Sequence, residues 1–382
     1  MASVTLDWIQ LAAVVGTLQG LLLTGVLFAQ RNNRTANRLL AALMIAFTIY
    51  LATVVYYGTG IFRVYPHFFG IAYVTPWLFG PLTYLYAVAA SDRAWRFERR
   101  DLWHLAPAAL VLLVALPYYL MSGGDKLAMY DQLAAGKVPR RIALIDPLKF
   151  VSGITYSIAT VRYLRRHGRQ IEDNYSNVAR VNLHWLLWLA GAAAATWLLA
   201  TILAIVGPPE GFRDDYVALA IAVIVYAIGY RGLRQPEVFR YQTSEFAIVK
   251  PQMAEPEVRY ERSGLDEAEA IALEQSLRRI MDAEQPWKDS ELTLPQLAER
   301  IGSTPHKLSE VLNAQIGQTF YDFVNGYRVR EVQRRIKEGE ARRLKILALA
   351  LDAGFASKST FNQVFKKHTN LTPSDFRQTV GG

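Results

Sequence analysis

Residues 294–312 read LPQLAERIGSTPHKLSEVL, and residues 346–365 read ILALALDAGFASKSTFNQVF. The two stretches are one pattern written twice. Leu294, Leu297, Ala298 and Ile301 stand at i, i+3, i+4 and i+7 ahead of Gly302; Ile346, Leu349, Ala350 and Ala353 stand at the same spacing ahead of Gly354. That spacing lines one face of a helix, and a glycine just past it supplies the left-handed conformation that ends the helix. A cap residue then opens a second helix, Thr304 ahead of Pro305 and Ser357 ahead of Lys358. The hydroxyls accept from free N–H groups of the new first turn, where proline needs no donor. Each second helix carries an apolar i, i+4 pair, Leu308/Leu312 and Phe361/Phe365. The copies are offset by 52 residues in the first helix (294 to 346) and by 53 in the second (308 to 361). They predict two helix-turn-helix units, the motif that lays a helix in the major groove of double-stranded DNA.

A helix is expected over residues 320–338 between the copies. At 1.5 Å per residue it spans about 28 Å, which brings the two second helices near the ~34 Å spacing of successive major grooves. It carries Arg328, Arg330, Arg334, Arg335 and Lys337. Arg328, Arg334 and Arg335 either contact phosphate or form a solvated charged face. In each second helix the apolar residues must face the unit's own core. That leaves His306, Lys307, Ser309, Glu310 and Asn313 in the first, and Lys358, Ser359, Asn362, Gln363 and Lys366 in the second. Asn362 and Gln363 have the amide geometry that pairs with adenine; Glu310 suits cytosine or repels phosphate. Lys366 and Lys367 either compensate a helix C-terminus or anchor phosphate. Phe355, Phe361 and Phe365 are assigned to the core, which favours a duplex over a single strand. From Pro286 onward there are 15 Lys/Arg against 10 Asp/Glu, a net of +5 that fits a DNA partner.

The stretch from Leu265 to Arg377 resembles the DNA-binding domain of the AraC/XylS family of bacterial transcription regulators. The matching string is Ala353-Gly354-Phe355, Ser357-Lys358-Ser359, Thr360-Phe361, Phe365-Lys366-Lys367, Thr372-Pro373 and Phe376-Arg377. Leu308-Ser309, Leu312-Asn313, Asn325 and Tyr327-Arg328 further resemble one branch of it. Asn370 departs from the pattern, which usually has glycine there; asparagine tolerates the left-handed conformation, so the turn is expected to survive. The resemblance implies a non-enzymatic regulator that works with RNA polymerase and carries no cofactor.

The first two-thirds of the chain pose a different problem. Hydrophobic residues are 52% of the whole and mean hydropathy is +0.12, so the apolar excess must be localised. Seven apolar stretches, at 9–29, 39–57, 69–90, 102–121, 144–164, 183–206 and 216–233, approach the roughly 20 residues that a bilayer core demands. The first reads as a retained membrane helix rather than a cleaved signal. With the N-terminus outside, the inner loops hold 12 Lys/Arg and the outer loops 6, the bias of a positive inner face. An odd helix count then puts the C-terminus with the DNA, in the cytoplasm of a bacterium with the N-terminus periplasmic. This half looks like the multi-helix domain of a membrane-bound subgroup of the same family, not like the family's soluble sugar-binding domain.

The net charge is +9, and there is no cysteine. Disulfides, thiolate metal sites and a cysteine nucleophile are thereby excluded. The six histidines are scattered, so no metal site is expected, and no nucleophile motif marks a catalytic residue. Asp146, Lys149 and His184 are the ionisable residues of the spans, all near helix ends where snorkelling suffices. Sensing of an unidentified signal is left by elimination; the alternative is a transporter or membrane enzyme with a basic protein-binding tail.

The expected fold class is all-α. Residues 1–234 form a seven-helix transmembrane domain, 235–262 a proline-punctuated juxtamembrane linker, and 263–382 a DNA-binding domain with two helix-turn-helix units. Asp266 and Glu269 resemble a capping box for an apolar helix running to Ala283. That helix packs on the first unit or, alternatively, makes a homodimer contact.

Overall fold

The computed structural model describes residues 6–30, 33–92, 95–177, 184–206, 212–234 and 266–380. Among them the regular elements are helices, and the one extended pairing is an isolated antiparallel bridge between Tyr175 and Thr293. The chain divides into two compact units. One holds the described residues up to Arg165 together with those from 184 to 234; the other holds residues 166–177 and 266–380.

The first unit contains α1 (Trp8–Ala29), α2 (Arg34–Gly58), α3 (Thr75–Ser91), α4 (Ala106–Tyr119), α5 (Gly123–Ala134), most of α6 (Arg140–Asn174), α7 (His184–Val206) and α8 (Phe212–Arg234). α1 starts where Asp7 and Gln10 cap each other, the Asp7 carboxylate accepting from the Gln10 N–H at 2.7 Å. It lies close on α2 because Gly16 and Gly20 have no side chain; a Cβ on Gly16 would lie 2.9 Å from Leu51. Leu40, Leu43, Met44, Leu51, Leu85 and Val225 fill the interior. Leu18, Leu22, Leu113, Trp188 and Ile205 stay exposed, the reverse of what a water-soluble surface prefers.

Helices stand at all seven predicted apolar stretches. Five of them, at Trp8–Ala29, Arg34–Gly58, Arg99–Tyr119, Arg140–Asn174 and Trp185–Val206, are long and apolar enough to cross a membrane. α3, with 17 residues, and the apolar part of α8, Tyr216–Ile228, are shorter. α5 was not anticipated. Ser122 caps it, and its Lys126 is buried with the ammonium donating to the His67 carbonyl at 2.8 Å, so this lysine is no free loop charge. The 235–262 linker lies outside the described residues.

The second unit contains α9 (Glu267–Ala283), α10 (Leu294–Arg300), α11 (Pro305–Glu310), α12 (Phe320–Lys337), α13 (Ile346–Asp352), α14 (Lys358–Thr369) and α15 (Pro373–Val380). Asp266 caps α9 by accepting from the Glu269 N–H at 2.6 Å. Leu277 and Met281 then enter one core with Leu297, Leu308, Val324, Leu349 and Phe365. α9 packs on the turn at Pro286–Lys288 and on Val311–Ile316, which uses its apolar face within the chain. Residues 166–177, which the sequence assigns to the membrane half, group with this unit.

Candidate DNA-binding interface

The first reader is built on a reciprocal cap. Thr293 accepts from the Gln296 N–H at 3.4 Å and donates its own N–H to the Gln296 side chain at 2.9 Å, which starts α10. Gly302, at φ +71°, turns the chain, and Thr304 caps α11 through the Lys307 N–H at 3.3 Å. α11 is not the plain helix expected. After Glu310 it widens into a π turn over Val311–Ile316 and closes at Gly317, φ +69°. Leu308, Val311 and Leu312 are buried. His306 and Asn313 are exposed, and Lys307, Ser309 and Glu310 are half-buried. Asn313 donates to the Ser309 hydroxyl at 3.2 Å, and Lys307 lies 3.5 Å from Glu269 on α9.

The second reader repeats the plan with a regular helix. Gly354, at φ +89°, ends the turn after α13, and the Ser357 hydroxyl accepts from the Thr360 N–H at 3.2 Å. Thr360, Phe361, Val364 and Phe365 point inward, while Lys358, Ser359, Asn362, Gln363, Lys366 and Lys367 are exposed. Phe355, Phe361, Phe365 and Phe376 form an edge-to-face chain with ring centroids 5.2, 5.5 and 5.5 Å apart. The aromatics therefore hold the reader rigid and do not offer stacking platforms. Asn370 closes α14 at φ +59°, its N–H bonded to the Lys366 carbonyl at 2.9 Å. The departure from glycine keeps the turn, as expected.

The basic helix α12 corrects the sequence reading. Arg328 is 1% exposed and does not face a DNA backbone. Its five N–H directions are all taken: Nε by the Trp287 carbonyl at 2.7 Å, Nη1 by the Ser176 carbonyl and the Asn325 side chain, each at 3.1 Å, and Nη2 by the Ser176 hydroxyl at 3.1 Å and the Asp289 carbonyl at 2.7 Å. Burial pulls its pKa down to about 10, partly offset by the charges of Asp289 and Glu291, so it is still charged at neutral pH. Arg334 is held by Glu331 at 2.8 Å and Glu338 at 2.6 Å. Arg335 is held by Glu340 at 2.7 Å and Asp352 at 3.3 Å, with its side chain 15% exposed. These carboxylates hold both guanidinium pKa values above the usual range, the hydrogen bonds from Glu331 and from Glu340 contributing most. Spacing showed the basic residues, but not that Glu331, Glu338, Glu340 and Asp352 pair with Arg334 and Arg335. Lys367 lies 2.6 Å from Asp322 and ties α14 to α12.

A second feature belongs to the first unit. A cavity of about 940 Å³ opens among α2, α3, α6 and α7, walled by Phe79, Tyr50, Tyr73, Tyr156 and Trp197. Asp146 and Lys149 also line it and pair with each other at 2.8 Å on α6. Proximity to a helix end suggested that each would reach water alone; the structure joins them. The His184 side chain lies outside the described residues.

The sequence comparisons bear on the second unit. The family described as "Helix-turn-helix domain" matches residues 297–379. The probable transcription factor PqrA of Proteus vulgaris is 31% identical over 87 residues, which are 23% of this chain and 69% of that protein. The multiple antibiotic resistance protein MarA of Escherichia coli (strain K12) is 25% identical over 104 residues, 27% of this chain and 80% of that one. The regulatory protein SoxS of the same strain is 28% identical over 92 residues, 24% and 83%. No solved structure matches the chain. Two capped helix-turn-helix units, the exposed polar face of α14 and these relatives converge on one statement: through its C-terminal unit, this chain belongs to the AraC/XylS family of DNA-binding transcription regulators.

Proposed function

We propose that the chain is a membrane-anchored, sequence-specific transcription regulator of a bacterial inner membrane, with a periplasmic N-terminus, a cytoplasmic DNA-binding unit and a signal-receiving apolar unit. The observation that carries this reading is the placement of residues 166–177. The arginine bias assigns that connection to the inner side of the bilayer, and the same residues fold with the DNA-binding unit. One element thus satisfies the charge rule and the need for DNA on the same side.

Five helices of spanning length and the exposed Leu, Ile and Trp side chains around them suit a lipid surrounding. The aromatic cavity with its Asp146–Lys149 pair gives a signal molecule somewhere to bind. The readers take double-stranded DNA, with Asn362 and Gln363 on base edges and Lys358 and Lys366 at the backbone. RNA polymerase is the further partner, and a homodimer would double the site.

Two measurements test this. Reporter fusions at Met121, Arg169 and Leu233 should report outside, inside and inside. Gel shift with the full chain in lipid nanodiscs should show sequence-selective, salt-sensitive binding to duplex DNA. Uptake of solute by vesicles holding the chain, without any DNA binding, would instead favour a transporter whose ion pair lies in the cavity wall.

A further inference from the structure

We propose that residues 175–177, at the end of α6, are a built-in ligand of the DNA-binding unit, seated in a buried groove between α12 and the segment 287–293, and that this seat sets how well both readers bind DNA. The proposal rests on the regulator reading above and adds the element through which the apolar unit would act.

The groove is a polar site inside an otherwise apolar core. Asn325 and Arg328 stand on α12 with 0% and 1% exposure, and Ser176 is equally buried at 1%. Ser176 donates its N–H and its hydroxyl to the Leu292 carbonyl at 3.2 and 2.7 Å. Its own carbonyl accepts from Asn325 Nδ2 and Arg328 Nη1, both at 3.1 Å, and its hydroxyl accepts from Arg328 Nη2. Tyr175 makes the antiparallel bridge to Thr293. Two residues that lie 149 and 152 positions further along the chain thus both donate to one serine. Withdrawing it would leave a buried guanidinium short of two acceptors, a state the interior does not tolerate without rearrangement.

The groove reaches both readers. Its outer wall ends in Thr293, the residue that caps α10. Arg328 also holds the Trp287 carbonyl, and that carbonyl lies against Gly354 in the turn of the second reader. α12 itself joins the two. With Ser176 seated, the frame between the readers is complete, while the exposed faces of α11 and α14 remain open. The seated state is therefore the DNA-competent one, and a pull on α6 that lifts the serine out lowers affinity. α6 is one continuous helix from Arg140, where Asp146 and Lys149 line the cavity, to Asn174 beside the seat.

The chain has no cysteine, so a pair can be introduced cleanly. In the full chain in lipid nanodiscs, Tyr175→Cys/Thr293→Cys should form a disulfide rapidly on mild oxidation, as residues facing each other across such a bridge do. Because Thr293→Cys also removes the α10 cap, the comparison is within the variant: the oxidised form should bind operator DNA more tightly than the same protein reduced. Ser176→Val should weaken binding about tenfold, the scale of one lost hydrogen bond to a charged group, and the cysteine pair should restore it in the triple variant once oxidised. Failure of the disulfide to form overturns the seat. A disulfide that forms while Ser176→Val leaves affinity unchanged overturns the link to the readers. Absence of DNA binding by the unaltered chain overturns the regulator reading itself, which the cross-link, needing no DNA, does not address.

Discussion

The Arg328 guanidinium donates through Nε to the Trp287 carbonyl at 2.7 Å, and the same carbonyl stands where a Cβ on Gly354 would go, so the helix between the readers and the turn of the second reader meet at one carbonyl. The two glycines of the repeated pattern are therefore not equivalent. Both have positive φ, but a Cβ at Gly302 meets nothing, whereas one at Gly354 meets the carbonyls of Trp287 and Lys288. Gly302→Ala should cost only the left-handed conformation, about 1 kcal/mol. Gly354→Ala should cost roughly 3 kcal/mol or more, since backbone must shift as well. Thermal unfolding of the two variants in detergent checks the ranking; equal losses would mean that the Trp287 contact is slack.

Specificity should reside on α14. Gln363→Ala is expected to relax preference at one base position by about 1–3 kcal/mol, while Lys366→Ala weakens all sequences alike and lowers the salt slope by about 1. Binding titrations against a set of single-base operator variants at several salt concentrations separate the two behaviours.

Arg334 should matter little for DNA. Its guanidinium is committed to Glu331 and Glu338 in an exposed triad. Arg334→Ala should change stability by no more than about 1 kcal/mol, as surface ion pairs do, and leave the salt slope intact. A slope that falls by about 1 on this substitution would restore the phosphate role read from sequence.

Asn370 offers a conservative check on the end of α14. Asn370→Gly should be neutral or slightly stabilising, because glycine adopts its φ of +59° without strain, and Asn370→Ala should cost about 1 kcal/mol. Chemical denaturation resolves a difference of that size.

Much of the second unit was legible because its signals are local. Caps, turn glycines and i, i+4 apolar pairs act within a few residues, so Thr304, Ser357, Gly302, Gly354 and the inward phenylalanines all have the roles their spacing implies. Arg328 misled because charge alone says nothing about partners. The groups that bury it lie at Ser176, Trp287 and Asp289, and no periodicity links residues that far apart. The π turn after Glu310 was hidden for the opposite reason: Leu308 and Leu312 keep helical spacing although the backbone widens from Val311 to Ile316. In the first unit hydropathy located the helices, but it treated 122–143 as a loop. α5 is amphipathic and short, and its buried Lys126 lowers the very signal used to find it.

Two DNA readers on one chain should act together on a duplex. Hydroxyl-radical footprinting of the full chain in nanodiscs, on an operator selected from random sequence, tests it most directly. Two protected patches are expected on one face of the DNA, about one helical turn (10–10.5 base pairs) apart, with Gln363→Ala altering one patch only. A single patch, or two on opposite faces, would contradict it.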